Sequence, residues 1–165
     1  MSYEEYLAFE GGNDLRSEFL HGWIVPMAAQ WKVHDEVAGS LIFAIHAHLR
    51  RRGPCRVHQA GIPVRVDAAD CIFYPDLHVT CDSRDHQDPN VTRHPSLVIE
   101  ILSPSTRDFD RGDKFSAYKA LDSLQEYVLV DSQAQSVSVF RRIGGGRWVN
   151  MTCCRPIRSS SKRST

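Results

Sequence analysis

Leu97-Val98-Ile99-Glu100-Ile101-Leu102 sets one carboxylate among five aliphatic residues. A short apolar run that ends at Ser103-Pro104 reads as a strand buried in a sheet. An ionised carboxylate without a partner is so costly in that setting that it takes up a proton instead, so something must compensate Glu100. A second acid, Asp76, stands in a similar run, Ile72-Phe73-Tyr74-Pro75-Asp76-Leu77. Two acids on neighbouring strands, with a lysine downstream, form an oxygen cage for a divalent metal, which points to phosphodiester chemistry.

Working outward, residues 3–10 read as a short helix closed by Gly11-Gly12. Residues 16–20, the His21-Gly22 turn and Trp23-Ile24-Val25 read as a hairpin. Val33, Val37, Leu41, Ile45 and Leu49 recur every four residues, which predicts a helix over 32–52 stopped by Gly53-Pro54. Strands are expected at 56–58, 63–66 and 72–81, followed by a polar loop over 82–95. The Glu100 strand precedes a helix over 110–121 that carries the stripe Phe115, Tyr118, Leu121. Strands at 126–130 and 137–141 follow, and Gly144-Gly145-Gly146 turns the chain toward Trp148. The order of elements is mixed, so the expected class is α/β, a mixed central β-sheet flanked by helices. One domain over 1–150 is expected, with a disordered tail over 151–165 that holds basic residues, Ser159-Ser160-Ser161 and no acid.

The 165 residues carry 24% charged and 42% apolar side chains and a net charge of zero, so any nucleic-acid site must be local rather than global. No apolar run nears the roughly 18 residues of a membrane span. The N-terminus lacks the pattern of a signal peptide. The five cysteines form no C-x-x-C pair and read as reduced thiols of a cytoplasmic protein. The eight histidines show no zinc spacing.

Asp76 and Glu100 have a competing account: Asp76 caps a turn after Pro75, and Glu100 pairs with a buried arginine. Spacing alone does not separate the two. Lys114 favours the metal. It lies beside the buried stripe of the helix after the Glu100 strand, where its amine reaches the carboxylate end of the sheet. Glu18 is a further acid in a partly apolar setting, able to complete a metal shell or to pair with Arg16 or Lys32.

Five stretches together carry a resemblance: residues 73–77; Pro95-Ser96 through Ser105-Thr106; Asp110-Arg111-Gly112-Asp113-Lys114-Phe115; Tyr118; and Glu126-Tyr127-Val128-Leu129-Val130-Asp131. They resemble the Uma family of bacterial restriction-endonuclease-like proteins, a branch of the PD-(D/E)XK nuclease superfamily, over roughly residues 3–148. The hairpin with Glu18 before a His-Gly turn, and His34 beyond it, match as well. The resemblance implies a restriction-endonuclease-like core and Mg²⁺- or Mn²⁺-dependent hydrolysis of DNA. In it Asp76 and Glu100 hold the metal with the Ile101 carbonyl, Glu18 supports the metal, and Lys114 positions the attacking water. Leu102 occupies the superfamily's usual lysine position, so the lysine has moved to the following helix. Arg107 and Arg111 become candidate phosphate contacts, Ser103 to Thr106 shape the strand-to-helix turn, and a homodimer is implied. Where relatives continue in leucine-rich strand sequence past Trp148, this chain has Met151-Thr152-Cys153-Cys154-Arg155 and a serine-basic tail. A non-catalytic binding or scaffold protein that retains the nuclease fold is the alternative. A nuclease acting on RNA or on branched or damaged DNA shares the same site.

Overall fold

The computed structural model describes residues 1–13, 15–27, 31–51 and 53–154. The apolar run around Glu100 becomes β7 (Pro95–Ile101), the middle of a six-stranded sheet. Its antiparallel neighbour is β6 (Leu77–Thr80), which pairs outward with β3 (Arg56–Gln59). On the other side β8 (Glu126–Asp131) runs parallel to β7. Then β9 (Ser136–Ile143) and β10 (Arg147–Cys154) continue antiparallel. One parallel pair among antiparallel ones makes the sheet mixed, as expected.

Side chains alternate along β7. Leu97, Ile99 and Ile101 face the long helix α2 (Lys32–Leu49), meeting Ala38, Leu41, Ile42 and Ile45. Val98 and Leu102 face the other way, into a core with Phe73, Phe115, Tyr118, Tyr127 and Leu129. Strand period two therefore assigns Glu100 to the second face. That face is covered by the crossover between the parallel strands: α4 (Arg107–Phe109), a π-helical turn (Asp110–Lys114) and α5 (Phe115–Tyr118). It is covered too by a smaller antiparallel sheet in the order β2-β1-β5-β4. There β1 (Ser17–Leu20) and β2 (Trp23–Pro26) form the hairpin, joined by β5 (Cys71–Phe73) and β4 (Val64–Val66). The N-terminal helix α1 (Tyr3–Gly11) starts in a capping box between Ser2 and Glu5. It buries Tyr6 against Phe19 and Ile72.

Several expectations need correction. The strand expected over 72–81 is two strands in two sheets, β5 and β6, and Tyr74-Pro75-Asp76 is the joint between them. Proline offers no N–H to a ladder, so pairing stops there. The loop expected over 82–95 holds a short helix α3 (Ser83–Gln87), started by the Asp82 carboxylate on the Arg84 N–H. The long helix ends at Leu49, and Val33 on its expected stripe is exposed. The crossover helix begins at Arg107 rather than Asp110 and ends at Tyr118. Residues 151–154, expected in a disordered tail, complete β10, with Cys154 opposite Ser136; residues 155–165 lie outside the described residues. The cysteines are not all free, because Cys55 is bonded to Cys81. The two flank the register pair Arg56↔Thr80, so strand pairing brings them together. Among the described residues no helix is long and apolar enough to cross a membrane.

Candidate functional site

Extending the register Leu77↔Ile99 by one residue sets Asp76 opposite Glu100, at the rim where β6 begins. Backbone contacts lock that juxtaposition. The Asp76 N–H donates to Glu100 Oε2 (3.3 Å), and the Ile101 N–H donates to Asp76 Oδ2 (2.6 Å). The hairpin brings in Glu18, whose Oε1 accepts from the Tyr74 N–H at 3.2 Å. The π-helical turn brings in Asp110 and Lys114.

Lys114 is the hub. Its Nζ lies 2.9 Å from Glu18 Oε1, 3.3 Å from Glu100 Oε1 and 3.3 Å from Asp110 Oδ1, all four side chains being buried. Burial alone would push its amine down, yet Glu100, Glu18 and Asp110 outweigh this and hold it above the usual lysine range. It is an ammonium. Glu100 is shifted upward too, which for a carboxyl penalises the charged form. Burial is the largest cause raising it well above the ordinary carboxylate range, and Asp110, Asp76 and Glu18 add to that while Lys114 opposes it. Glu100 Oε1, although near the ammonium, accepts no hydrogen bond. His34, on the first turn of α2, donates from Nε2 to Asp76 Oδ1 at 3.0 Å. That hydrogen bond raises its pKa against the opposing effect of burial.

These residues line one cavity of about 270 Å³, together with the Ser103, Ser105 and Thr106 hydroxyls and an apolar wall. Glu18, Asp76, Glu100, Ile101 and Lys114, singled out in the sequence, all meet there. Arg107 does not line it, because its guanidinium pairs with Asp131 at 3.0 Å; Arg111 is exposed and lies outside the lining. Asp110 was missed as a site residue. An aspartate that opens an expected helix reads as a helix-start signal, although its four-residue spacing to Lys114 was the available clue. Ser103 Oγ accepts from the Thr106 N–H at 3.2 Å, which is the capping role expected of that turn.

Among the described residues no group of three or more His, Cys, Asp or Glu side chains is placed to hold a metal ion. The donors at hand are carboxylate oxygens, the type a hard cation takes. Mg²⁺ in particular is commonly held by one or two carboxylates with water completing its shell. The Glu100 carboxyl, with Oε2 on the Asp76 N–H and Oε1 orphaned, fits that smaller requirement.

A family model described as "Uma2: Putative restriction endonuclease" matches residues 3–162. Two proteins of Synechocystis sp. (strain ATCC 27184 / PCC 6803 / Kazusa) are similar along most of the chain. The "Uncharacterized protein slr1290" is 32% identical over 90% of this chain and 78% of its own length. The "Uncharacterized protein sll1609" is 28% identical over 88% and 82%. The crystal structure of "a putative nuclease belonging to DUF820" from Anabaena variabilis ATCC 29413 superposes with a TM-score of 0.76. That match covers 94% of this chain and 86% of that one at 19% identity, a likeness of fold. With nearly the whole sequence matched by the family model, and with a relative 32% identical over most of both chains, this chain belongs to the Uma2 family.

Proposed function

We propose that this chain is a divalent-metal-dependent endonuclease that hydrolyses DNA phosphodiester bonds with Mg²⁺ or Mn²⁺, acting in the cytoplasm as a homodimer. The observation that carries the reading is the convergence of Glu18, Glu100 and Asp110 on one buried lysine, with Asp76 beside Glu100, at the rim of the central sheet. Four carboxylates face one ammonium and one histidine, a surplus of negative charge that a bound divalent cation relieves. Asp76, Glu100 and the Ile101 carbonyl would hold such an ion, which would supply polarisation of the phosphoryl oxygen and acidification of a water. The protein's own groups do the rest. Glu18 and Asp110 hold Lys114 in place, and its ammonium orients the attacking water or stabilises negative charge on the phosphate. Because it stays protonated, Lys114 serves electrostatically and not as a base. His34 fixes the Asp76 carboxylate from α2.

A second reading has its own observation. Lys114 is already ion-paired with three of the carboxylates and His34 with the fourth, so the cluster can be neutralised internally in a non-catalytic protein that keeps the nuclease fold. Plasmid nicking separates the two. Asp76→Ala and Glu100→Ala should abolish Mg²⁺-dependent nicking while circular dichroism stays native. Nicking that survives either substitution, or a chelator, refutes the nuclease reading. Folded wild-type protein that neither binds Mn²⁺ in calorimetry nor cuts any DNA selects the scaffold.

A further inference from the structure

The cavity has a wall that the hydrolytic groups do not use. Val25 and Pro26 at the end of β2, Met27, Trp31 at the start of α2 and Phe109 on α4 line it beside the carboxylates. Trp31 is 67% exposed and makes no side-chain capping bond to its helix, so neither packing nor capping accounts for a large aromatic there. The cations around it are already engaged. Lys114 and His34 are paired with carboxylates, no arginine among the described residues lines the cavity, and Arg107 is held by Asp131. Duplex binding draws most of its affinity from several Lys or Arg contacts to phosphate, and four carboxylates work against it here. Stacking of a base on an aromatic ring needs no such contacts. The volume, about 270 Å³, lies at the small end for ligand pockets, on the scale of one flat ring system.

We infer that this apolar wall receives an unpaired nucleobase, stacked on Trp31, so that the substrate class is single-stranded or locally unpaired nucleic acid. The inference rests on the nuclease reading of the same cavity. Stacking places the base against Trp31 and Phe109 and leaves its phosphate toward Lys114 and the Ser103–Thr106 hydroxyls. The neutral net charge of the chain suits a ligand held through its bases.

The test is fluorescence anisotropy in excess EDTA, so that no cleavage enters, with fluorescein-labelled oligothymidylate, oligouridylate and a blunt DNA duplex as probes. Wild-type protein should bind an oligomer more tightly than the duplex, and the better of the two oligomers tells DNA from RNA. Trp31→Ala should weaken oligomer binding by about 5- to 150-fold, and Trp31→Phe should restore most of it. Circular dichroism and sedimentation should not change. Equal oligomer affinity in Trp31→Ala, or a wild-type preference for the duplex, overturns the inference. So does a Trp31→Ala variant that loses self-association and keeps oligomer binding, which makes the wall a contact between copies. Intact stacking without Mg²⁺-dependent cleavage of either oligomer or of plasmid sinks only the hydrolytic reading. Nicking with Trp31-independent binding sinks only this one.

Discussion

Replacing Lys114 by Met tests the centre of the site most directly. Methionine keeps an apolar stem between the Phe73 and Phe109 rings, each 5.6 Å from Nζ, and removes only the charge. Glu18, Glu100 and Asp110 then share a buried space with no cation. Breaking a buried ion pair from one side costs about 3–5 kcal/mol. Glu18 keeps the Tyr74 N–H and Glu100 keeps the Asp76 N–H, which points to the lower end, about 3 kcal/mol. For a chain of this size that is a drop in Tm of roughly 6–12 °C. The loss depends on pH. Carboxylates crowded without a cation have folded pKa values above their unfolded ones, so the variant approaches wild type in mild acid and falls away as pH rises through those values. A divalent cation should also raise the Tm of Lys114→Met by more than it raises the wild type's, by up to about 2.7 kcal/mol at a hundredfold excess over Kd. Thermal unfolding followed by circular dichroism at acid and neutral pH, with and without Mn²⁺, measures all three effects. A variant that melts together with wild type at neutral pH refutes the buried ammonium and everything built on it.

Three further outcomes are expected. Burial and its acidic neighbours penalise the charged form of Glu100, so Glu100→Gln, a neutral group of the same shape, should cost less stability than Glu100→Ala and still lose nicking; urea titration and a plasmid assay check it, and a Gln variant that still nicks contradicts the assignment. His78 is fully buried, with Nε2 2.9 Å from Thr92 Oγ1, and burial with the charge of His58 pushes it down to about 3. The unfolded chain therefore binds a proton near pH 6.5 that the folded chain refuses, and stability falls as pH drops from about 6.5 toward about 3, by at most about 5 kcal/mol. His78→Gln should flatten that slope in urea titrations across the window. The Cys55–Cys81 bond closes a segment of 26 residues, so Cys55→Ser should cost about 3 kcal/mol against oxidised wild type and nothing against reduced wild type; an equal loss in reductant makes it a packing effect.

What the sequence disclosed follows from how local each signal is. The Glu100 strand, the hairpin and the face of α5 were legible because strand alternation and helix periodicity are written into neighbouring residues. The split of 72–81 was not, because Ile72-Phe73 and Leu77-His78-Val79 are equally strand-forming and only Pro75 hints that the chain changes sheets. That change of sheet sets Asp76 in a joint, where its backbone N–H is free to meet Glu100 instead of pairing in a ladder. The Cys55–Cys81 bond depends on the β3–β6 register, and the extension of β10 depends on backbone pairing to β9, neither of which a local pattern encodes. The family resemblance named Glu18, Asp76, Glu100 and Lys114, but it did not show that Asp110 shares the same lysine.

Asp110 changes the electrostatic account of the site. With Glu18, Asp76 and Glu100 alone, a lysine and a histidine leave little charge for a metal to neutralise. A fourth acid, held by the π-helical turn four residues before Lys114, makes the acidic groups outnumber Lys114 and His34 by four to two. The π-helical turn is part of that arrangement. Widened turns of this kind recur at functional sites, and this one keeps Asp110 and Lys114 on the sheet side while Phe115 and Tyr118 remain in the core. The acid four residues before Lys114 thus shares its ammonium with Glu18 and Glu100, and the π-helical turn that holds both sets the charge balance of the whole cluster.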